Sequence, residues 1–185
     1  MRIVITGAES SGKSSLTQHL GKVFELPYAL EYARYYLAEN GPVYDLEQLR
    51  NMCRLHLNYQ QEKVPISAPC GIFDTDLINY KIWAEEVFGC CPAEISTGIE
   101  RESSHVYLLC KPDLPWESDP LRENPYELQR LYQRHFDEII RLKRPYEEVE
   151  GSGRERMVNA EAAMCGLWQN IPLLKTQENK LKSFL

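Results

Sequence analysis

The sequence predicts a three-layer α/β fold built on a parallel sheet of about five strands. Two observations carry that expectation. Short apolar runs of strand length alternate with longer segments at helical spacing. The first of these runs, Ile3-Val4-Ile5, ends in a Gly/Ser-rich turn that opens a helix. No internal repeat, low-complexity tract or linker interrupts the alternation, and 185 residues suit one domain.

Taken in order, Arg2–Thr6 reads as a buried parallel strand and Lys13–Phe24 as a helix, with Leu16, Leu20, Val23 and Phe24 at helical spacing. Pro27 breaks the pattern before a short strand at Tyr28–Leu30. Glu31–Glu39 is expected to be helical and to stop at Asn40-Gly41-Pro42. Asp45 is an N-cap for a long helix to about Val64. Gly71-Ile72-Phe73 reads as a strand ending at Asp74, and Asp76–Phe88 as a helix with Gly89 at its C-cap. His105–Cys110 is a fourth strand. Lys111–Asn124, rich in Pro, Asp and Arg, is a loop. Tyr126–Lys143 is an amphipathic helix with Leu128, Leu131, Tyr132, His135, Phe136, Ile139 and Ile140 facing inward. Tyr146–Val149 is a last strand, followed by Gly151-Ser152-Gly153 and a helix to about Trp168. The polar tail after Pro172 is expected to be partly disordered.

Bulk composition narrows the function classes. Hydrophobic content is 43%, charged content is 26% and the formal net charge is −6. An acidic chain argues against a broad nucleic-acid face. It does not argue against an anionic ligand, because a local nest of backbone N–H groups binds phosphate on an acidic protein. The six cysteines form no C-x-x-C pair and read as free thiols in a reducing compartment rather than zinc ligands. No signal peptide and no run of membrane-spanning length is visible, so a cytoplasmic protein without membrane or nucleic-acid partners is expected.

The chemistry begins at Gly7-Ala8-Glu9-Ser10-Ser11-Gly12-Lys13-Ser14, which matches G-x-x-x-x-G-K-[ST] at every defined position. The turn lies between a strand and a helix, as its mechanism requires. Backbone N–H groups and the helix N-terminus then face the phosphates of ATP. Lys13 is placed to reach the β- and γ-phosphates and Ser14 to hold Mg²⁺, with Ser15 next in line. A second acid is needed at a neighbouring strand end. Asp74 suits that role, and Asp76 lies two residues on. One of the two acids would orient the metal and the other accept a hydroxyl proton, unless Asp76 is simply the N-cap of the following helix. Glu31 and Arg34 follow the second strand, either at the ligand edge of the sheet or as a surface i, i+3 ion pair. In the 112–125 segment, Arg122 is placed to cover the γ-phosphate as part of a lid, and Trp116 either stacks on a substrate ring or packs the loop down. Gly151–Arg156 occupies the place of an adenine-binding turn or a solvated helix start, and Arg154 is assigned to the nucleotide there.

Together, Gly7–Ser15, Glu31-Tyr32-Ala33-Arg34, Asp74-Thr75-Asp76, Lys81-Ile82-Trp83 and Pro115-Trp116 through Leu121-Arg122 resemble the NadR-type ribosylnicotinamide kinase domain and its ATPase relatives, over roughly residues 1–160. The resemblance implies a P-loop NTPase fold of the nucleoside-kinase kind, a single domain over 1–185 with a lid around 112–125, and ATP with Mg²⁺ as cofactors. It implies transfer of a phosphoryl group to the 5′-hydroxyl of nicotinamide riboside or a similar nucleoside. Lys13, Asp76, Glu31 and Arg122 are then the catalytic candidates, and Ser14 and Asp74 the metal-side pair. Glu31, Arg34, Asp76, Trp83 and Trp116 are candidates for the acceptor. Tyr32 and Tyr35 add flat surfaces suited to a cationic ring. Two departures stand out. The chain leaves no room for an adenylyltransferase domain and shows no N-terminal helix-turn-helix, so DNA regulation is not expected. Ser15 stands where relatives often carry Thr. The alternative is a regulatory P-loop ATPase without a small-molecule acceptor. A guanine-reading switch would carry N-K-x-D, and Asn179-Lys180-Leu181 lacks the acid. A purely structural nucleotide-binding subunit has no feature in its favour.

Overall fold

The computed structural model describes residues 1–102, 104–116 and 126–170. The tail after Pro172 and the segment holding Arg122 lie outside the described residues. Five strands, β1 (Arg2–Thr6), β2 (Tyr28–Ala29), β3 (Gly71–Asp74), β4 (His105–Cys110) and β5 (Tyr146–Val149), form one sheet in the order β2-β3-β1-β4-β5. Every pairing is parallel. The helices are α1 (Lys13–Val23), α2 (Ala33–Asn40), α3 (Leu46–Lys63), α4 (Leu77–Phe88), α5 (Ala93–Arg101), α6 (Leu128–Arg141) and α7 (Gly153–Asn170).

Period-2 alternation along the strands divides the core in two. Ile3, Ile5, Ile72, Val106 and Leu108 face Leu16 and Leu20 of α1 and Ala160 and Met164 of α7. Val4, Phe73, Tyr107 and Leu109 face the other side, against α2 to α6. A strand buried on both faces must be apolar at every position, which is why these runs are continuous rather than alternating. Truncating one of the fully buried residues, such as Ile72, to alanine costs about 2–5 kcal/mol.

Helix boundaries follow local chemistry. Asp45 caps α3 with a complete capping box: its carboxylate accepts from the Gln48 amide at 2.8 Å, and the Gln48 side chain accepts from the Asp45 amide at 2.8 Å. α2 begins at Ala33 rather than Glu31, which leaves Glu31 on the connection after β2. α5 has no counterpart in the sequence reading. Only Ile95 and Ile99 mark its buried face, too few to show a period, and it packs on α4 so closely that a Cβ at Gly98 would lie 2.6 Å from Leu77 Cδ1. On α6, Ile140 is 47% exposed, contrary to expectation. It lies one residue past Ile139 and therefore about 100° off the buried stripe.

The register brings the business ends of the strands together. Ile5 pairs with Asp74, Thr6 with Leu109, and Cys110 with Val149. The crevice above these carboxyl ends is where an open α/β sheet takes its ligands.

Candidate active site

Thr6 ends β1 and hands the chain to the phosphate loop. Gly7 has φ 130°, and a Cβ there would lie 2.7 Å from the Cys110 carbonyl oxygen, so the position tolerates only glycine. Gly12 precedes α1 in the left-handed region at φ 78°. Ser10 also has positive φ, 59°, which is uncommon outside glycine and is found at strained functional turns. Inside the loop, Ser11 Oγ donates to Ala8 O at 2.7 Å, and Lys13 Nζ donates to Gly7 O and Ala8 O at 3.1 and 2.8 Å. Gly7 to Ser15 all border one cavity of about 1010 Å³.

Asp74, on the neighbouring strand, accepts from Ser14 Oγ at 2.5 Å through Oδ2. Its Oδ1 is buried without a hydrogen bond. Burial and then the nearby charge of Glu31 push its pKa up to about 6, against the pull of Lys13 and the Ser14 bond. Ser14 and Asp74 therefore form a compact all-oxygen pair beside the loop.

Asp76 has another fate. Thr75 lies between the two acids at φ 68°, an outlier for a β-branched residue, held by Thr75 N–H to Ile5 O and by Gln60 Nε2–H to Thr75 O, both at 3.0 Å. That turn sends Asp76 beneath α4. There its Oδ1 accepts from the Ile78 amide at 3.0 Å as the helix N-cap, and its Oδ2 accepts from Tyr107 OH at 2.7 Å and lies 3.2 Å from His105 Nδ1. Burial alone would raise its pKa, but the hydrogen bonds from His105, Tyr107 and Ile78 hold it below the ordinary value. Both oxygens of Asp76 are already occupied by the core, so it is neither a base nor an acceptor ligand here. Glu102 joins Asp76 and His105 there, with ligand atoms within 4.8 Å of one another. Arg2 and Arg144 already counter the charge of this cluster, so it reads as a polar core.

Beyond the loop, the cavity continues between α2, α4 and α6. Glu31 and Arg34 both border it, and Asn79 Nδ2 lies 3.5 Å from Glu31 Oε1. Trp83 stands on its wall, oriented by a 2.7 Å hydrogen bond from Nε1 to Tyr44 OH and an edge contact between the rings. Tyr35 borders it too, in a cluster with Tyr32 and Tyr59. The 112–116 stretch contributes Leu114 and Pro115 to the wall; Trp116 is half-buried and does not border the cavity.

Arg156, Glu86 and His135 also border the cavity and escaped the sequence reading as site residues. Arg156, not Arg154, is the arginine of the β5–α7 turn that meets the loop. It is buried and donates to Ser11 O at 2.9 Å, Gly151 O at 2.9 Å, Lys111 O at 3.0 Å and Asp113 Oδ1 at 2.6 Å. Arg154 points to solvent, because two residues along a helix is about 200° around it. Glu86 is fixed by Arg130, at 2.8 and 2.5 Å, and by Arg134, and these hydrogen bonds pull its pKa down to about 2. His135 borders the loop end of the cavity and lies 3.0 Å from Thr6 Oγ1. Glu86 and Arg156 have no sequence signal beyond charge on a helix; His135 hides in an apolar stripe.

A glycine-rich loop between a parallel strand and a helix, with an acid on the adjacent strand end, defines a P-loop nucleotide-binding protein of the kinase-like fold. Residues 2–156 match a family described as an AAA domain, and the chain belongs to that family. Two curated relatives, the trifunctional NAD biosynthesis/regulator protein NadR of Salmonella typhimurium strain LT2 and of Escherichia coli K12, are each 25% identical over 124 residues, 65% of this chain and 30% of the relative. The chain thus spans less than a third of those relatives' length. Among solved structures, a NadR protein in complex with NR superposes with a TM-score of 0.64 at 17% identity, over 90% of this chain and 51% of that one. Shikimate kinase from Acinetobacter baumannii in complex with shikimate superposes at 0.53 and 14% identity, over 92% and 94%. The resemblance read from the motifs is thereby matched, and the fold is that of the NadR-like P-loop kinases. Among the described residues, no helix is long and apolar enough to cross a membrane.

Proposed function

We propose that this chain is a cytoplasmic ATP-dependent kinase that phosphorylates a hydroxyl of a small nucleoside-like acceptor, with nicotinamide riboside first among the candidates. The observation that carries this is one continuous cavity running from the phosphate loop and Ser14, whose hydroxyl is bonded to Asp74, to an aromatic wall at Trp83, Tyr44 and Tyr35. A donor phosphate at one end and a flat-walled acceptor space at the other are what in-line phosphoryl transfer needs. The NadR relatives support the choice of acceptor. The same reading treats 1–185 as one kinase-like domain whose lid is the 112–125 segment; Leu114 and Pro115 on the cavity wall support it.

The donor set at Ser14 and Asp74 is all oxygen, with one buried carboxylate oxygen to spare, and fits Mg²⁺. Ser14 Oγ would hold the ion and Asp74 its water shell, and the ion would supply positive charge against the phosphates. Lys13 binds the same phosphates. Glu31 borders the cavity and takes the acceptor's hydroxyl proton, while Arg34 and Trp83 orient the acceptor. Gly7 to Ser15 wrap the phosphates, and Arg156 braces the loop at Ser11.

The deciding experiment is a panel of nucleosides with ATP and Mg²⁺, read by mass spectrometry. Phosphorylated product is expected, most of all from nicotinamide riboside. Hydrolysis of ATP without any phosphorylated nucleoside would replace the kinase by a regulatory ATPase.

A further inference from the structure

One wall of the cavity beside the phosphate loop is the ring of His135, on the buried stripe of α6. Its Nδ1 lies 3.0 Å from Oγ1 of Thr6, the residue immediately before Gly7. Both residues are buried. The imidazole is therefore tied to the root of the loop, and its ring cannot turn without breaking a buried hydrogen bond. Among the described residues, none is hydrogen-bonded to Nε2. Burial, and then the Lys13 charge, push the His135 pKa down to about 3. The ring is thus neutral at working pH and carries a single N–H.

Which nitrogen holds that proton follows from what the other one meets. A threonine hydroxyl can donate or accept, so Thr6 tolerates either tautomer. The cavity does not. An imidazole lone pair aimed at a phosphate oxygen is repulsive, whereas an N–H there is a hydrogen bond to an anion, stronger than a neutral one. Lys13, close enough to bias the protonation of the ring, is the residue that meets the β- and γ-phosphates in a P-loop.

We propose that His135 is a phosphoryl-contacting residue: Thr6 Oγ1 donates to Nδ1, and Nε2–H donates to an oxygen of the γ-phosphoryl group during transfer. This rests on the kinase reading above. In the transfer itself, the bond from the acceptor oxygen to γ-phosphorus forms and the β,γ-bridging bond breaks. ADP leaves with that electron pair, and the hydroxyl proton goes to Glu31. His135 neither gives nor takes a proton; it supplies a fixed donor that adds no charge beside Lys13.

The test has two arms. The first uses the full chain labelled with ¹⁵N-histidine, whose four imidazoles are those of His19, His56, His105 and His135, with His135→Asn to assign the signal. The signals should show a protonated Nε2 and an unprotonated Nδ1. The Nε2 signal should move when beryllium fluoride, a γ-phosphoryl mimic, is added to the ADP–Mg²⁺ complex, and not with ADP–Mg²⁺ alone. A proton on Nδ1, or no response to the fluoride, would overturn the proposal. The second arm is kinetic. His135→Asn leaves an amide near the Nδ1 position for Thr6 but removes Nε2. It should lower kcat by about 10²-fold, as loss of one transition-state donor does, with both KM values little changed. His135→Gln, which restores an amide N–H near Nε2, should recover part of the loss. A defect confined to acceptor KM would overturn the phosphoryl contact. If the wild type phosphorylates no nucleoside, the kinase reading fails, while the fluoride response still decides what His135 faces.

Discussion

Asp74 and Asp76 differ by one intervening residue, yet they belong to two regions of opposite character. Asp74 sits at the phosphate loop, where its Oδ2 accepts from Ser14 and its Oδ1 is buried. Asp76 sits in a polar core cluster with both its oxygens bonded, to Ile78, Tyr107 and His105. Burial raises the pKa of the first, and bonding lowers that of the second despite burial. A buried acid left half-satisfied costs stability and is free to meet a ligand; one that is fully satisfied contributes stability and has no valence left. The left-handed Thr75 makes the division, by turning the chain between them.

The sharpest way to break this contrast is at the loop. Lys13→Ala and Asp74→Asn should each lower turnover by about 10³-fold or more, the scale of losing charge stabilisation in the transition state. Neither should lower the melting temperature of the free protein. Asp74→Asn should raise it at pH 8, because the native carboxyl has a raised pKa and the stability it contributes is lost as pH climbs through about 6. A melting temperature that falls with Asp74→Asn would erase the distinction between the two acids.

Asp76→Ala should do the reverse. It removes an N-cap and two buried hydrogen bonds, so unfolding should be easier by about 3 kcal/mol in urea titrations, while kcat of the folded fraction stays near wild type. A turnover defect without a stability defect would return Asp76 to the catalytic machinery. A smaller effect concerns Glu102 in the same cluster. Burial, then the Asp76 charge, push its pKa up to about 8. The stability that follows from a raised acid is present at low pH and is lost as pH rises through the folded value. Glu102→Gln should therefore flatten the decline in melting temperature as pH climbs from about 4.5 to about 8, and change little above that. The smallest contrast is between two arginines. Arg156→Ala should weaken ATP binding measured by calorimetry, because it releases Ser11 O from the brace, and Arg154→Ala should change stability by less than about 0.5 kcal/mol and leave ATP affinity alone.

Much of this was legible in the chain. Strand and helix positions were readable because apolar period and breakers such as Gly89 are local signals. The exception was α5, with only Ile95 and Ile99 to mark it. At the site, the phosphate loop could be read because its function needs particular residues at fixed spacing. Glu31 and Asp74 could be read because strand ends point to one edge.

What the sequence by itself determined, then, were features fixed by neighbours in the chain: the loop, the caps and the alternation that makes a parallel sheet. Tertiary structure alone decided which side of the sheet each polar group reached. Asp76 went to the core because Tyr107, 31 residues away, could donate to it; Arg156 rather than Arg154 met the loop because helix phase set it against Ser11, 145 residues distant; His135, on the apolar stripe of α6, has its ring tied at the cavity by Thr6, 129 residues distant. A hydrogen bond forms between groups that meet in space, and nothing local in the sequence records which distant partner a buried polar atom will find.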